Sequence, residues 1–180
     1  MHAHYANRWS SRAFDSRPVA DEVLYTVLEA ARWVPSSGNG QPWRFIVART
    51  EEERRRFASF IRPANREWSD HAPVLILLIS YTLNDNGTPS GSHAFDEGTA
   101  WGTIASQAAL LGLNTHAIGG YDRELAREAL HIPAEYELLA VIKLGYPGDK
   151  SALPEALQER EVPTGRRSLN ELVFEAVFLG

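Results

Sequence analysis

Arg8, Ser10 and Arg12 recur at every second position in the run NRWSSRAF. In an extended chain, alternation carries all three to one side. Two guanidiniums and a hydroxyl placed so form a seat for a phosphate dianion, each charge-assisted hydrogen bond contributing about 1.5–3 kcal/mol. The same spacing also suits a solvated arginine face. Arg166 and Arg167, after Gly165, read either as a solvated loop pair or as part of an anion site. Gly119-Gly120 stands shortly before Asp122, a helix-starting residue. Glycine lets backbone come close to a ligand, and a helix start offers unpaired N–H groups, although a plain tight turn needs the same residues. The turn PSSGNGQP, residues 35–42, crowds Ser36, Ser37, Asn39 and Gln41 between glycines and prolines. A helix-to-strand connection needs only a few residues, so this is an ordinary loop or a wrap around something flat and polar. Asp96-Glu97 offers paired carboxylates, which equally fit the first turn of a helix.

Several chemistries are excluded. There is no cysteine, so disulfides, thiolate metal sites and thiol catalysis are ruled out. The six histidines are scattered without HExxH or other ligand spacing, which argues against a metal site. GNGQPW precedes a strand and lacks the third glycine of a dinucleotide fingerprint. No GxSxG elbow occurs. Redox chemistry would have to come from a bound cofactor. The net charge of −5 argues against a dedicated nucleic-acid binder. MHAHYANRWSSR has no apolar core like that of a signal peptide. Val74 to Ile79, the longest strongly apolar run, is too short to span a membrane. A soluble, cytoplasmic protein is expected.

The elements that must position these residues follow from periodicity. A length of 180 residues with 44% hydrophobic and 23% charged residues suits one domain. Val19 to Trp33 carries apolar residues at helical spacing. Trp43 to Ala48 reads as a strand. Thr50-Glu51-Glu52-Glu53 resembles a capping box before a charged helix, and PANREWSDH follows as a short helix. Pro73 to Tyr81 reads as a strand buried on both faces, and Thr82 to Ala94 as a long polar loop. Phe95 to Leu111 is a helix rich in small residues, fit for a core or a dimer seam. Asn114 to Ile118 and Leu138 to Leu144 complete the strands, with a helix capped by Asp122 between them. Residues 145–165 read as a long irregular connection before an apolar tail, Leu169 to Leu179. The fold class expected is α+β, a central mixed sheet of about four or five strands flanked by helices. Residues 1–180 form one domain, whose arm from about 150 onward docks elsewhere, a second subunit being one answer.

In order along the chain, RWSSRAF, EAARWVPSSGNGQPWRFIV, PANREWSDHAPVLILL, a DEG-started helix ending in ALLGL, AIGGYD, LGYP and GRRSLNEL resemble the FMN-dependent nitroreductase family. The resemblance implies a three-layer α+β sandwich and an intertwined homodimer with FMN at the interface. It implies hydride passing from NADH or NADPH to an electron-poor acceptor, a nitroaromatic or quinone, by a ping-pong route with no obligatory side-chain acid or base. Carried over by position, Arg8, Trp9, Ser10 and Arg12 hold the phosphate and ring edge, and Arg166 or Arg167 completes the seat. Pro35, Ser36, Ser37 and Asn39 line the ring from the other subunit. Asn65 reaches the flavin from the short helix, and Gly119 and Gly120 offer N–H groups near N5 and O4. Trp9 stands where the family is often basic, and the chain is short for the family. The loop 82–94, with His93, is the candidate lid. Two alternatives remain: an FMN protein of this fold with other chemistry (dehalogenation, flavin cleavage or ring oxidation), and a dimeric interaction module without cofactor.

Overall fold

Side chains that alternate between two apolar faces organise the sheet. Its strands are β1 (Trp43–Ala48), β2 (Val74–Tyr81), β3 (Asn114–Ile118) and β4 (Tyr136–Gly145). The computed structural model describes residues 1–178; Leu179, the end of the expected apolar tail, lies outside the described residues. The lateral order is β1-β2-β4-β3, and every pairing is antiparallel. The expectation of a mixed sheet is therefore corrected. β2 and β3 do run in the same sense, but β4 lies between them and makes two antiparallel neighbours in place of one parallel pair.

The helices are α1 (Ala3–Asn7), α2 (Asp21–Arg32), α3 (Glu51–Ala58), α4 (Pro63–Ser69), α5 (His93–Leu110), α6 (Arg123–Ala129) and α7 (Glu155–Gln158). Alternation along β2 sends Val74, Ile76 and Leu78 to one face, where Leu24 and Val27 of α2 and Ala100 and Ile104 of α5 cover them. Leu75, Leu77 and Ile79 meet Phe57 of α3, Trp68 of α4 and Ala126 of α6 on the other. The result is a three-layer α+β sandwich. The small residues of α5 have a concrete use here. Ala100, Ala105 and Ala108 are buried, letting α5 approach α2 and the sheet closely.

Local signals hold where their partners are close in sequence. Thr50 caps α3, accepting from Glu53 N while the Glu53 side chain returns to Thr50 N. Asp122 caps α6 by accepting from Leu125 N at 3.0 Å. The connection 145–165 is less irregular than expected, since it contains α7 and a short turn of helix at Lys150–Ala152. Residues 13–15 lie against 146–148, where Asp15 N donates to Tyr146 O and Gly148 N to Ala13 O. The tail beyond Ser168 exposes Leu172, Val173, Phe174, Val177 and Phe178. Among the described residues no helix is long and apolar enough to cross a membrane. Removing the cap with Thr50→Ala is expected to lower stability by about 1 kcal/mol in urea unfolding, with an unchanged m-value.

Candidate functional site

Residues 8–13 pass β3 outside any ladder, and His116 Nδ1 of β3 lies 3.0 Å from the Ser11 carbonyl. The carbonyl can only accept, so Nδ1 carries the proton. Ser11 and Ala13 are buried, and Ser10 and Arg12 face outward, the alternation that the spacing implied. A cavity of about 430 Å³ opens here. Trp9, Ser10 and Arg12 line it from the amino-terminal run, His116 from β3, and Val162, Thr164 and Arg166 from the carboxy-terminal arm. Arg166, not Arg167, takes part in this lining.

Partial burial, and then the Arg166 charge, hold the Arg8 guanidinium below its ordinary value. Among the described ion pairs neither Arg8 nor Arg166 meets a carboxylate. Cations left without an acidic partner suit an anionic ligand. Arg12 is more constrained. Its Nη1 lies 3.7 Å from Glu161 Oε2 and donates to the Arg160 carbonyl at 3.5 Å. Its guanidinium carbon sits 5.7 Å from the centre of the Trp68 ring. Burial pushes His116 down to about 4, against the opposing hydrogen bond to the Ser11 carbonyl. Its imidazole is therefore neutral at pH 7, and the cavity's positive charge comes from arginines.

α4 extends this patch along the β3 edge. Trp68 touches the His116 ring, with centroids 4.5 Å apart. One turn earlier Asn65 Nδ2 donates to the Gly120 carbonyl at 3.0 Å, and Arg62 N donates to the same oxygen at 3.1 Å. A Cβ on Gly120 would collide with the Asn65 side-chain amide, so a larger residue here must push that amide aside. Gly119 is exposed beside it. Asn65, Gly119 and Gly120 are thus one group, near the arginine cluster.

Pro35, Ser36, Ser37 and Asn39 are elsewhere. Their turn precedes β1, the opposite edge of the sheet, three strand spacings or about 14 Å across from β3. It is fixed in shape. Gly38 and Asn39 both have φ of 57°, Ser36 Oγ accepts from Gln41 N at 3.0 Å, and Ser37 N donates to Asp96 Oδ2 at 3.2 Å. Asp96 also accepts from Ser92 Oγ. The turn borders a second cavity, about 340 Å³, shared with Asn84, Asp85 and Ser90 of the loop expected to be a lid. One protomer therefore holds the arginine cluster and the serine–asparagine turn in separate cavities.

Sequence reasoning missed four residues here: Trp68, His116, Glu161 and Lys143. Lys143 is fully buried, its Nζ 3.0 Å from the Trp68 ring centre. A charged residue inside the apolar run of a central strand was the available signal. Burial pushes this amine down to about 5, with Asp70 and Glu161 opposing and Arg12 adding to the shift. Glu97, which the sequence offers as a first-turn helix acid, is buried on the other face of the sheet without a hydrogen-bond partner. Burial, against a small pull from Arg44, raises it to about 8.

The Nitroreductase family profile matches residues 5–67. An FMN reductase (NAD(P)H) of Bacillus subtilis is 32% identical over 181 residues, covering 90% of this chain and 72% of that protein. The chain belongs to the nitroreductase family. An Archaeoglobus fulgidus protein with the provisional name NADH dehydrogenase/NAD(P)H nitroreductase is 31% identical, covering 83% of this chain and 86% of its own. A crystal structure described as an oxidoreductase containing FMN superimposes with a TM-score of 0.96 at 40% identity, covering 100% of this chain and 93% of that one. The profile match takes in the arginine run, the PSSGN turn and Asn65.

Two outcomes are expected. Gly120→Ala displaces Asn65, which a crystal structure of the variant would show as loss of the Asn65–Gly120 hydrogen bond. The buried ionisable groups act on stability with opposite signs. Between about pH 5 and its ordinary value of 10.5, Lys143 is neutral when folded and charged when unfolded. The unfolded chain binds the extra proton, so this contribution to stability rises with pH. Lys143→Met should melt several degrees higher than the parent at pH 6, the gap narrowing toward pH 9. Glu97 is protonated when folded and ionised when unfolded between its ordinary 4.5 and about 8. Its contribution falls with pH, so the gap for Glu97→Gln should widen from pH 5 to pH 8 in the same melting series.

Proposed function

We propose that this chain is an FMN-dependent oxidoreductase that takes hydride from NADH or NADPH and reduces an electron-poor acceptor, a nitroaromatic or quinone. The observation that carries the reading is the cavity lined by Ser10 and Arg12 from one end of the chain and Arg166 from the other. A flavin phosphate would meet both cations and the hydroxyl there. The relatives' names, FMN reductase (NAD(P)H) and the structure containing FMN, support the same assignment.

In this reading Arg8, Ser10, Arg12 and Arg166 hold the phosphate, and Trp9 covers its approach. Asn65, fixed to Gly120, and the Gly119-Gly120 backbone face the ring edge. When bound, FMN supplies the ring that accepts two electrons from the nicotinamide and passes them on. The chain's own work is to bind, orient and shield that ring. Neutral His116 gives the Ser11 carbonyl a fixed donor and leaves the phosphate to the arginines. The absence of a dinucleotide fingerprint suits a nicotinamide that visits only briefly, in turn with the acceptor.

Two protomers complete the site in this reading. The Pro35-Ser36-Ser37-Asn39 turn lies at the edge opposite its own arginine cluster, so it would serve the partner's flavin. The outer face of α5, with Phe95 79% exposed, and the apolar tail from Leu169 are the surfaces such pairing would cover.

The purified protein is expected to be yellow, and anaerobic NADH or NADPH should bleach its flavin absorbance far faster than that of free FMN. Arg8→Ala and Arg166→Ala should each weaken FMN binding about tenfold or more, the equivalent of one lost charge-assisted contact. A colourless protein that takes up no added FMN would defeat the reading. A yellow protein that NAD(P)H reduces no faster than free FMN would point instead to other chemistry on the same cofactor.

A further inference from the structure

We infer that Glu161 is the positioning residue of the phosphate seat, a single carboxylate that sets the amino-terminal arginine run against the carboxy-terminal arm. The inference rests on the reading of the cavity as the FMN phosphate site. Glu161 is 150 residues from its hydrogen-bond partner Ser11, and no local pattern announces it.

One oxygen holds the run. Glu161 Oε1 accepts from Ser11 Oγ at 2.6 Å, from Arg12 N at 2.8 Å and from Ala13 N at 3.0 Å. The side chain is only 3% exposed. Residues 8–13 lie outside any strand, so no neighbouring strand receives their amides. Buried amides require an acceptor, and the carboxylate takes the place a strand would fill. From the other side His116 Nδ1 donates to the Ser11 carbonyl. Ser11 is thereby gripped at its hydroxyl and its carbonyl.

This grip decides where the cationic side chains point. With the Ser11 hydroxyl and the Arg12 and Ala13 amides all held on Glu161, Ser11 and Ala13 are buried while the Ser10 and Arg12 side chains line the cavity. The second oxygen works on the guanidinium directly, since Oε2 lies 3.7 Å from Arg12 Nη1 and makes no hydrogen bond. Glu161 also begins the segment that carries Val162, Thr164 and Arg166 into the same cavity. It therefore ties the two halves of the seat together, and the spacing of Arg8, Arg12 and Arg166 depends on it. Preorganised charge binds more tightly because little ordering is left to be done.

The contrast between FMN and riboflavin isolates the phosphate seat. Dissociation constants for both are measured by flavin fluorescence on the full-length chain. Wild type is expected to prefer FMN strongly. Glu161→Ala should weaken FMN about tenfold or more, as expected when charge-assisted contacts lose their alignment, and leave riboflavin within about twofold. Glu161→Gln keeps a carbonyl oxygen for the same three donors and should restore FMN affinity to within a few-fold of wild type. Ser11→Ala removes one of the three donors while the Arg12 and Ala13 amides still hold the carboxylate, and should weaken FMN selectively by a few-fold. Unchanged FMN affinity in folded Glu161→Ala, or equal loss of FMN and riboflavin, would overturn the assignment. If that variant fails to fold, Ser11→Ala decides: FMN affinity equal to wild type overturns it. A wild type that does not distinguish FMN from riboflavin would instead defeat the phosphate reading, and the proposal with it.

Discussion

β2 and β4 are paired along their length, and helices cover both faces of that pair. Most side chains on these strands point into one of two cores. A ligand cannot reach the sheet from above or below, so binding groups are driven to its edges and ends. That constraint explains why the arginine cluster sits by β3 and the PSSGN turn sits before β1, the two outer strands. It also explains why much of the site comes from segments with little regular structure. The amino-terminal run and the glycine pair are fastened at the sheet's margin by single backbone bonds and by side chains such as Glu161, His116 and Asn65.

Such fastening is uneven in what the sequence discloses. The caps at Thr50 and Asp122 rest on partners three residues away, and the strand runs and the small-residue helix show as patterns within their own length. Arg8, Ser10 and Arg12 are visible because charge at alternate positions is unusual beside apolar neighbours. Glu161 is not, since an isolated glutamate in a polar arm has nothing to mark it and its partners lie at the other end of the chain. Lys143 is an intermediate case: a lysine within VIKLG is odd, but only the packing of Trp68 shows what surrounds it. The mixed sheet was misjudged for a related reason. Which strand inserts between two others is settled by long-range packing, and local periodicity does not encode it.

Lys143 on the face of α4 and Glu97 on the face of α5 are buried ionisable groups without a hydrogen-bond partner. Neither forms an ion pair in the described contacts, and both shift toward their neutral forms. Neutralisation is the cheaper outcome for a lone buried charge. Lys143 stands behind the arginine seat, where a neutral amine adds no further repulsion to an already cationic region.

The separation of the arginine run and the serine–asparagine turn within one protomer has a genetic corollary under the proposed pairing. A dimer of two differently damaged chains, one lacking its arginines and the other its turn, would concentrate both lesions in one of its two sites. The remaining site would draw a sound half from each polypeptide. Two inactive alleles could then restore function together in one cell, a rescue unavailable to an enzyme whose active centre is built from one chain.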